Sequence, residues 1–372
     1  MPSSRFAVAL AAAVALVLSG CTYSVADPAA SEPPVSSPSP LGSDEVEPTG
    51  ERDVVASGLD APWSVILDGD SALVSERDSG DILEIRANGA KRVVGTVPGI
   101  AHGGEGGLLG LALDDDHRLY VYSTGDDGNR IQRFALSGAV GNLGLGRATT
   151  ILDGLPSQSV HNGGRIAFGP DGMLYASVGD ATNRGSAQDL DALSGKILRM
   201  TPDGDVPDDN PFDGSLVYSY GHRNVQGLGW AADGTMFAAE FGQDTWDELN
   251  VIEPGANYGW PTVEGKGGGA GLTDPVQQWP TDDASPSGLV VLGGTVFIAN
   301  LKGERIRGIP AADPTTAREY FVGANGVGEY GRIRSVLEGP DGSLWFVTNN
   351  TDGRGSPRDG DDRIVSAQLV GA

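Results

Sequence analysis

Three polar clusters in this 372-residue chain carry side chains able to do chemistry. The first is His161-Asn162-Gly163-Gly164-Arg165, followed by a strand pattern that ends at Val178-Gly179-Asp180. His161 precedes the outward half of an expected hairpin and Asp180 follows the returning half, so the two can meet at one rim. An Asp bonded to one imidazole nitrogen fixes the tautomer and leaves the other nitrogen as a base. A loop histidine that caps a turn is the other reading of the same spacing. The second cluster, Tyr218 to Gly227, holds Arg223, Asn224 and Gln226. A cation and two amides on a loop of little bulk suit a planar ligand with carboxylates and carbonyls; an arginine paired within its own sheet is the alternative. His222 adjoins Arg223, where charging it would be unfavourable, and reads as structural. The third runs from Ala239 to Asn250 and resumes at Gly255 to Pro261. It combines acidic and amide side chains, among them Gln243 and Glu248, with glycine-rich turns. Carboxylate and carbonyl oxygens are calcium chemistry, whereas zinc would want His or Cys. The spacing is not that of an EF-hand, and an ordinary acidic turn competes with the metal reading.

The elements that must position these clusters are strands. Glycine is abundant, at 57 residues, and no window outside the N-terminal leader keeps a 3.6-residue apolar period. Instead, six segments repeat a polar turn followed by an apolar run. They begin at Asp68, Asp115, Pro170, Ala232, Leu292 and Pro340. Asp-Gly and Gly-Gly suit tight hairpins because glycine accepts positive φ without steric cost, and the apolar residues that follow suit an inner strand. The copies recur every ~46 to 62 residues, the spacing of four-stranded propeller blades with loops. The expected fold is all-β, a six-bladed β-propeller of four-stranded antiparallel blades over residues 51–372. A strand near Asp53–Ala56 is expected to pair with one near Arg363–Ala367, so that the ring has no free edge. A pair of β-sandwiches explains the even spacing poorly.

The N-terminus reads as an export signal. Arg5 is followed by an apolar run from Phe6 to Leu18, which is too short to span a bilayer as a mature helix. It leads into Leu18-Ser19-Gly20-Cys21, which is similar to a bacterial lipobox; an ordinary secretory signal with an incidental Cys is the alternative. Cys21 is the only cysteine in the chain. Residues 1–20 are therefore expected to be cleaved, with Cys21 lipidated and anchoring the protein to the outer face of the cell membrane. Residues 21–50, rich in Pro, Ser and Ala, read as a disordered tether. With one cysteine no intrachain disulfide is possible. The net charge of −25 argues against binding nucleic acid and is compatible with a cation site.

The blocks Glu105-Gly106-Gly107-Leu108-Leu109-Gly110, His161 to Arg165, Gly221 to Gly227 and Asn257-Tyr258-Gly259-Trp260-Pro261 occur in one order along the chain. Together they resemble the family of soluble quinoprotein glucose dehydrogenases and aldose sugar dehydrogenases, over about Gly58 to Arg363. The resemblance implies a six-bladed propeller with pyrroloquinoline quinone over the channel mouth and oxidation of an aldose at its anomeric carbon to a lactone. It implies His161 as general base, Asp180 as its orienting partner, and Arg223 as a stabiliser of charge developing on the quinone. Arg223 and Asn224 become cofactor contacts with Gln226 nearby, and Lys302, Arg332 and Arg334 become clamps on the quinone carboxylates. The carbonyls of Gly242 and Gln243 would face the cofactor's calcium, while Glu248 and the carbonyl of Tyr258 would hold a second, structural calcium. Two positions depart from the pattern. Glu105, on the cofactor side, stands where the best-known members have Gln, and Asn349 stands where an Asp is expected. The substrate is expected to be a small aldose; the electron acceptor and oligomeric state are not named by the sequence. The rival functions are a calcium-dependent lactonase on a similar propeller and a non-catalytic propeller that binds a sugar or a protein.

Overall fold

Each of the six turn segments opens the second strand of a four-stranded antiparallel sheet. The second strands are Ser71–Glu76, Arg118–Gly125, Leu174–Val178, Met236–Glu240, Thr295–Asn300 and Leu344–Thr348. Their hairpin partners, one strand earlier, are Pro62–Asp68, Leu108–Leu113, Ile166–Phe168, Val225–Trp230, Pro286–Leu292 and Ile333–Glu338. These first strands neighbour one another from blade to blade and form the inner ring. The expected six-bladed propeller is the observed fold. The computed structural model describes residues 44–323 and 325–372. The expected leader, Cys21 and all but the end of the expected tether lie outside the described residues.

The second strands are buried along nearly their whole length; every residue of Leu174–Val178 and of Leu344–Thr348 is buried. Neighbouring blades cover both faces, so these strands read as apolar runs without strict alternation. Aromatic side chains fill the spaces between blades. Trp63, Tyr120, Tyr122, Phe237, Phe297 and Phe346 are all fully buried, and each such burial contributes roughly 1.5–3 kcal/mol. At the inner ring the backbones come so close that a Cβ at Gly110 would run into the carbonyl oxygen of Gly164. That contact explains a glycine inside an otherwise apolar strand.

The ring closes as expected. Val46–Ala56 forms the outer strand of the last blade and pairs antiparallel with Ile364–Gly371, with Asp53 opposite Ser366 and Val54 opposite Val365. The boundary of the tether needs correction, because the closing strand begins at Val46 and not near residue 51. Val46 is buried beside Leu292 and Phe297. Its N–H donates to Thr295 Oγ1 at 3.0 Å, and its carbonyl accepts from the same hydroxyl at 2.9 Å. Pro48 and Gly50 conceal the strand in the sequence, and the pairing is irregular between Pro48 and Arg52.

Candidate active site

In an antiparallel hairpin the start of the first strand and the end of the second lie at the same end. This rule brings the singled-out residues to one rim. Glu105, His161, Arg223 and Arg332 precede or open first strands, whereas Asp180, Gly242, Gln243 and Lys302 follow second strands.

His161 and Asp180 meet, with Nδ1 2.8 Å from Oδ1. Asp180 is fully buried. Its Oδ1 also accepts from the Thr182 N–H at 2.8 Å, and its Oδ2 accepts from the indole N–H of Trp260 at 2.9 Å. Burial by itself would raise the Asp180 carboxyl, but the bonds from His161, Thr182 and Trp260 outweigh it and hold the group below the usual carboxylate range. On the other side of the ring, His161 Nε2 lies 2.7 Å from Arg223 Nη2. An ionised carboxylate only accepts and a guanidinium only donates. The two neighbours therefore select the neutral imidazole with its proton on Nδ1 and its lone pair on Nε2. Arg223 is fixed in turn by Gln243 Oε1, at 2.9 and 3.1 Å, and by the Phe241 carbonyl at 3.1 Å. Burial lowers its pKa, against the pull of Asp180 and Glu105.

Beside this pair is a cavity of about 380 Å³ lined by Trp63, Glu105, Gln226, Phe241, Ser285, Leu301, Lys302, Arg332, Arg334 and Arg354. Four cations face a single carboxylate there. Arg334 donates to Gln226 Oε1 at 2.7 Å and to Asn349 Oδ1 at 3.2 Å. Burial pushes its guanidinium down to about 9, and its Cζ lies 5.7 Å from the centre of the Trp63 ring. Asn349 is thus a neutral acceptor for Arg334. Position 349, where an Asp is expected, is Asn; a nearby acid not assigned from sequence is Asp352, 3.3 Å from Arg332 and 3.7 Å from Arg334. Asn224 is buried; its Oδ1 accepts from the Gly163 N–H at 3.0 Å, while its Nδ2 has no protein partner.

The third cluster forms a separate acidic spot. Glu248 is buried, with its oxygens accepting from the Gly265 N–H at 2.7 Å and from Asn250 Nδ2 at 3.1 Å. Burial, and then the nearby Glu240, push its carboxyl above the usual range. Glu240, Glu248, Glu264 and Tyr258 line one small cavity together with Gly242. Among the described residues no three His, Cys, Asp or Glu side chains could hold a metal by themselves, so a cation here would also draw on backbone carbonyls and water. The amides of Gly242 and Gln243 are held by Asp247 Oδ1 at 2.8 Å and Glu264 Oε1 at 2.6 Å. His222 has the structural place expected of it. It bridges Ser219 Oγ at 2.8 Å and Glu240 Oε2 at 2.9 Å, and it stacks on Tyr258.

Three residues of this region were not assigned from sequence. Trp260 lies inside a motif block but reaches Asp180 only through the fold. Glu264 takes four successive amides, from Gln243 to Trp246, on one oxygen. Asp352 lies three residues beyond the position expected to be acidic. Of these, Trp260 alone had a sequence signal, its place beside Tyr258.

Fold and site define a six-bladed propeller with a cation-lined pocket at one rim and a His–Asp pair at the pocket's edge. The family profile described as Glucose / Sorbosone dehydrogenase matches residues 59–356, and the chain belongs to that family. It is 32% identical over 347 residues to an aldose sugar dehydrogenase of Escherichia coli (strain K12), a match that covers 81% of this chain and 90% of that one. It is also 32% identical over 255 residues to quinoprotein glucose dehydrogenase B of Acinetobacter calcoaceticus, covering 58% of this chain and 53% of the relative, so it spans about half that relative's length. Among solved structures, the PQQ-bound form of an aldose sugar dehydrogenase from Streptomyces coelicolor is similar at 49% identity, with a TM-score of 0.81 over 89% of this chain and 100% of that one.

Proposed function

We propose that this protein is a quinoprotein dehydrogenase that oxidises aldoses at the anomeric carbon to lactones, using pyrroloquinoline quinone and calcium and passing electrons to an external acceptor. The observation that carries the reading is the His161 imidazole, set between Asp180 and Arg223 at the edge of a pocket lined by Lys302, Arg332, Arg334 and Arg354. A planar tricarboxylate fits this lining. An incoming carboxylate would offset the cost of burying the Arg334 charge, and the unpartnered Asn224 Nδ2 is a donor in waiting. Calcium fits the oxygen-rich loops. Gly242 and Gln243 would serve an ion at the cofactor, and Glu248 with Tyr258 a structural one, where Glu248 is a buried carboxylate beside another.

When bound, the quinone supplies the hydride acceptor and its calcium polarises that acceptor. The remaining work falls to the chain. His161 Nε2 takes the proton of the anomeric hydroxyl. Asp180 keeps the ring in the required tautomer and stabilises the imidazolium that forms. Arg223, which donates to Nε2 before substrate binds, would yield that lone pair to the substrate proton and supply positive charge where negative charge develops. Gln226 and Asn349 hold Arg334 in place. The substrate hydroxyl proton goes to His161, and the bound quinone would supply the acceptor for the hydride that balances it. A lactonase would need a carboxylate ring around a metal in this pocket, and a pure binding module would need no imidazole between an acid and a guanidinium.

Incubating the purified protein with calcium and the quinone should produce a bound-quinone absorption spectrum and dye-linked oxidation of an aldose. Equal rates without either addition would sink the proposal. We also propose export and lipid anchoring through Cys21, supported by the N-terminal sequence pattern; loss of fatty-acid labelling in Cys21→Ser tests it. No helix among the described residues is long and apolar enough to cross a membrane.

A further inference from the structure

We propose that Glu105 is a positioning residue for His161, locking the backbone that aims the imidazole, in addition to facing the cofactor pocket. The inference rests on the reading of His161 as the base. His161 has a φ of 61°, a left-handed conformation that disfavours residues with a Cβ. Something must hold it there, and its two peptide groups are tied on opposite sides. The His161 carbonyl accepts from the Ala181 N–H at 3.2 Å, which links it to the residue after Asp180. The His161 N–H donates to Glu105 Oε2 at 2.7 Å.

Glu105 is itself well placed to act as a clamp. Its own N–H donates to the Ser159 carbonyl at 2.8 Å, so one residue grips both ends of Ser159–His161. The Gly103–Gly106 turn that presents it is closed by two hydrogen bonds, at 3.2 and 2.9 Å. The turn sits so close to the histidine loop that a Cβ at Gly104 would run into the Ser159 carbonyl oxygen. The other carboxylate oxygen of Glu105 lies 3.8 Å from Arg354 Nη2. The His161 contact needs only an acceptor of the right length. A glutamine carbonyl can supply it, and alanine cannot. A ring carried on a loosened, left-handed backbone would lose its fixed distance to the reacting hydroxyl, and such misplacement is expensive in rate.

The test is a double-mutant cycle at saturating calcium and quinone. Glu105→Gln should retain more of the wild-type kcat than Glu105→Ala, because the acceptor for the His161 N–H is preserved. Glu105→Ala should lower kcat on the order of 10- to 100-fold, a larger change than the one in quinone Kd that follows from removing a carboxylate from the pocket. In a His161→Ala background Glu105→Ala should cost nothing further. In the quinone-free protein, Glu105→Ala should shift the ring ¹⁵N and Nδ1–H resonances of His161, and Glu105→Gln should leave them in place. If Glu105→Ala does not fold, Glu105→Met, of similar length and a poor acceptor, carries the same expectations. A full loss from Glu105→Ala that persists in the His161→Ala background would overturn the proposal, as would unshifted ring resonances or a loss confined to quinone affinity. If His161→Ala alone loses less than tenfold, the base reading fails, and the ring resonances still report on the clamp.

Discussion

His161 Nε2 and Arg223 Nη2 are 2.7 Å apart, so the lone pair that would accept a substrate proton is already in contact with a cation. The base and the electrostatic stabiliser are thereby one unit, and their loss should be non-additive. His161→Ala should lower turnover by about 10²–10⁴ while leaving the cationic pocket able to bind the quinone. Arg223→Ala should lower it as well, and the double variant should be little worse than the more damaging single one. Turnover of the three variants at saturating quinone and calcium, with quinone affinity measured separately, checks this; a His161→Ala rate within a few-fold of wild type contradicts it.

The pH profile of turnover should show no limb from Asp180 near neutrality, since its carboxyl is held below the usual range and is ionised there. The same depression is a stability term. A carboxyl with a lowered folded-state pKa adds stability that is present above about pH 4 and is lost as the pH falls through the folded value. Acid melting curves should therefore fall more steeply below about pH 4 for wild type than for Asp180→Asn, and that variant should also turn over more slowly.

Trp260→Phe should weaken the site from behind. The indole N–H is the partner of Asp180 Oδ2, and its removal leaves a buried carboxylate oxygen short of a donor, at a cost of roughly 1–3 kcal/mol. Denaturant unfolding should show that loss. Turnover should fall by more than the KM changes, because Asp180 then holds the imidazole less firmly. Unchanged turnover would mean that the bonds from Thr182 and His161 suffice to orient the acid.

Chelation should lower the melting temperature, and calcium should restore it, because a ligand bound only by the native state stabilises it by mass action. Glu248→Gln should remove most of that response. In chelator the same substitution should cost little or even stabilise, since it replaces a carboxylate buried beside Glu240 with a neutral amide. Thermal melts of both proteins, with and without calcium, give four values; equal calcium responses would place the ion elsewhere.

The blade count was legible in the chain because a hairpin turn is a local requirement. Asp171-Gly172, Asp233-Gly234 and Asp341-Gly342 announce their strands wherever they stand, and the apolar runs after them record burial on both faces. The meeting of His161 with Asp180 was legible for the same reason, as the two flank one hairpin of known sense. The closing strand was readable from Asp53 onward, but not over Val46–Gly50, where a distant partner, Ile364–Gly371, overrides the proline and glycine. What only the tertiary structure decided lies between blades. Arg223 against His161, Trp260 against Asp180 and Glu105 on the His161 amide are contacts between residues from 56 to 80 positions apart. No local propensity links such residues. They meet because closing six twisted sheets into a ring brings their loops to one mouth, and there charge and hydrogen-bonding capacity, not sequence spacing, select the partners.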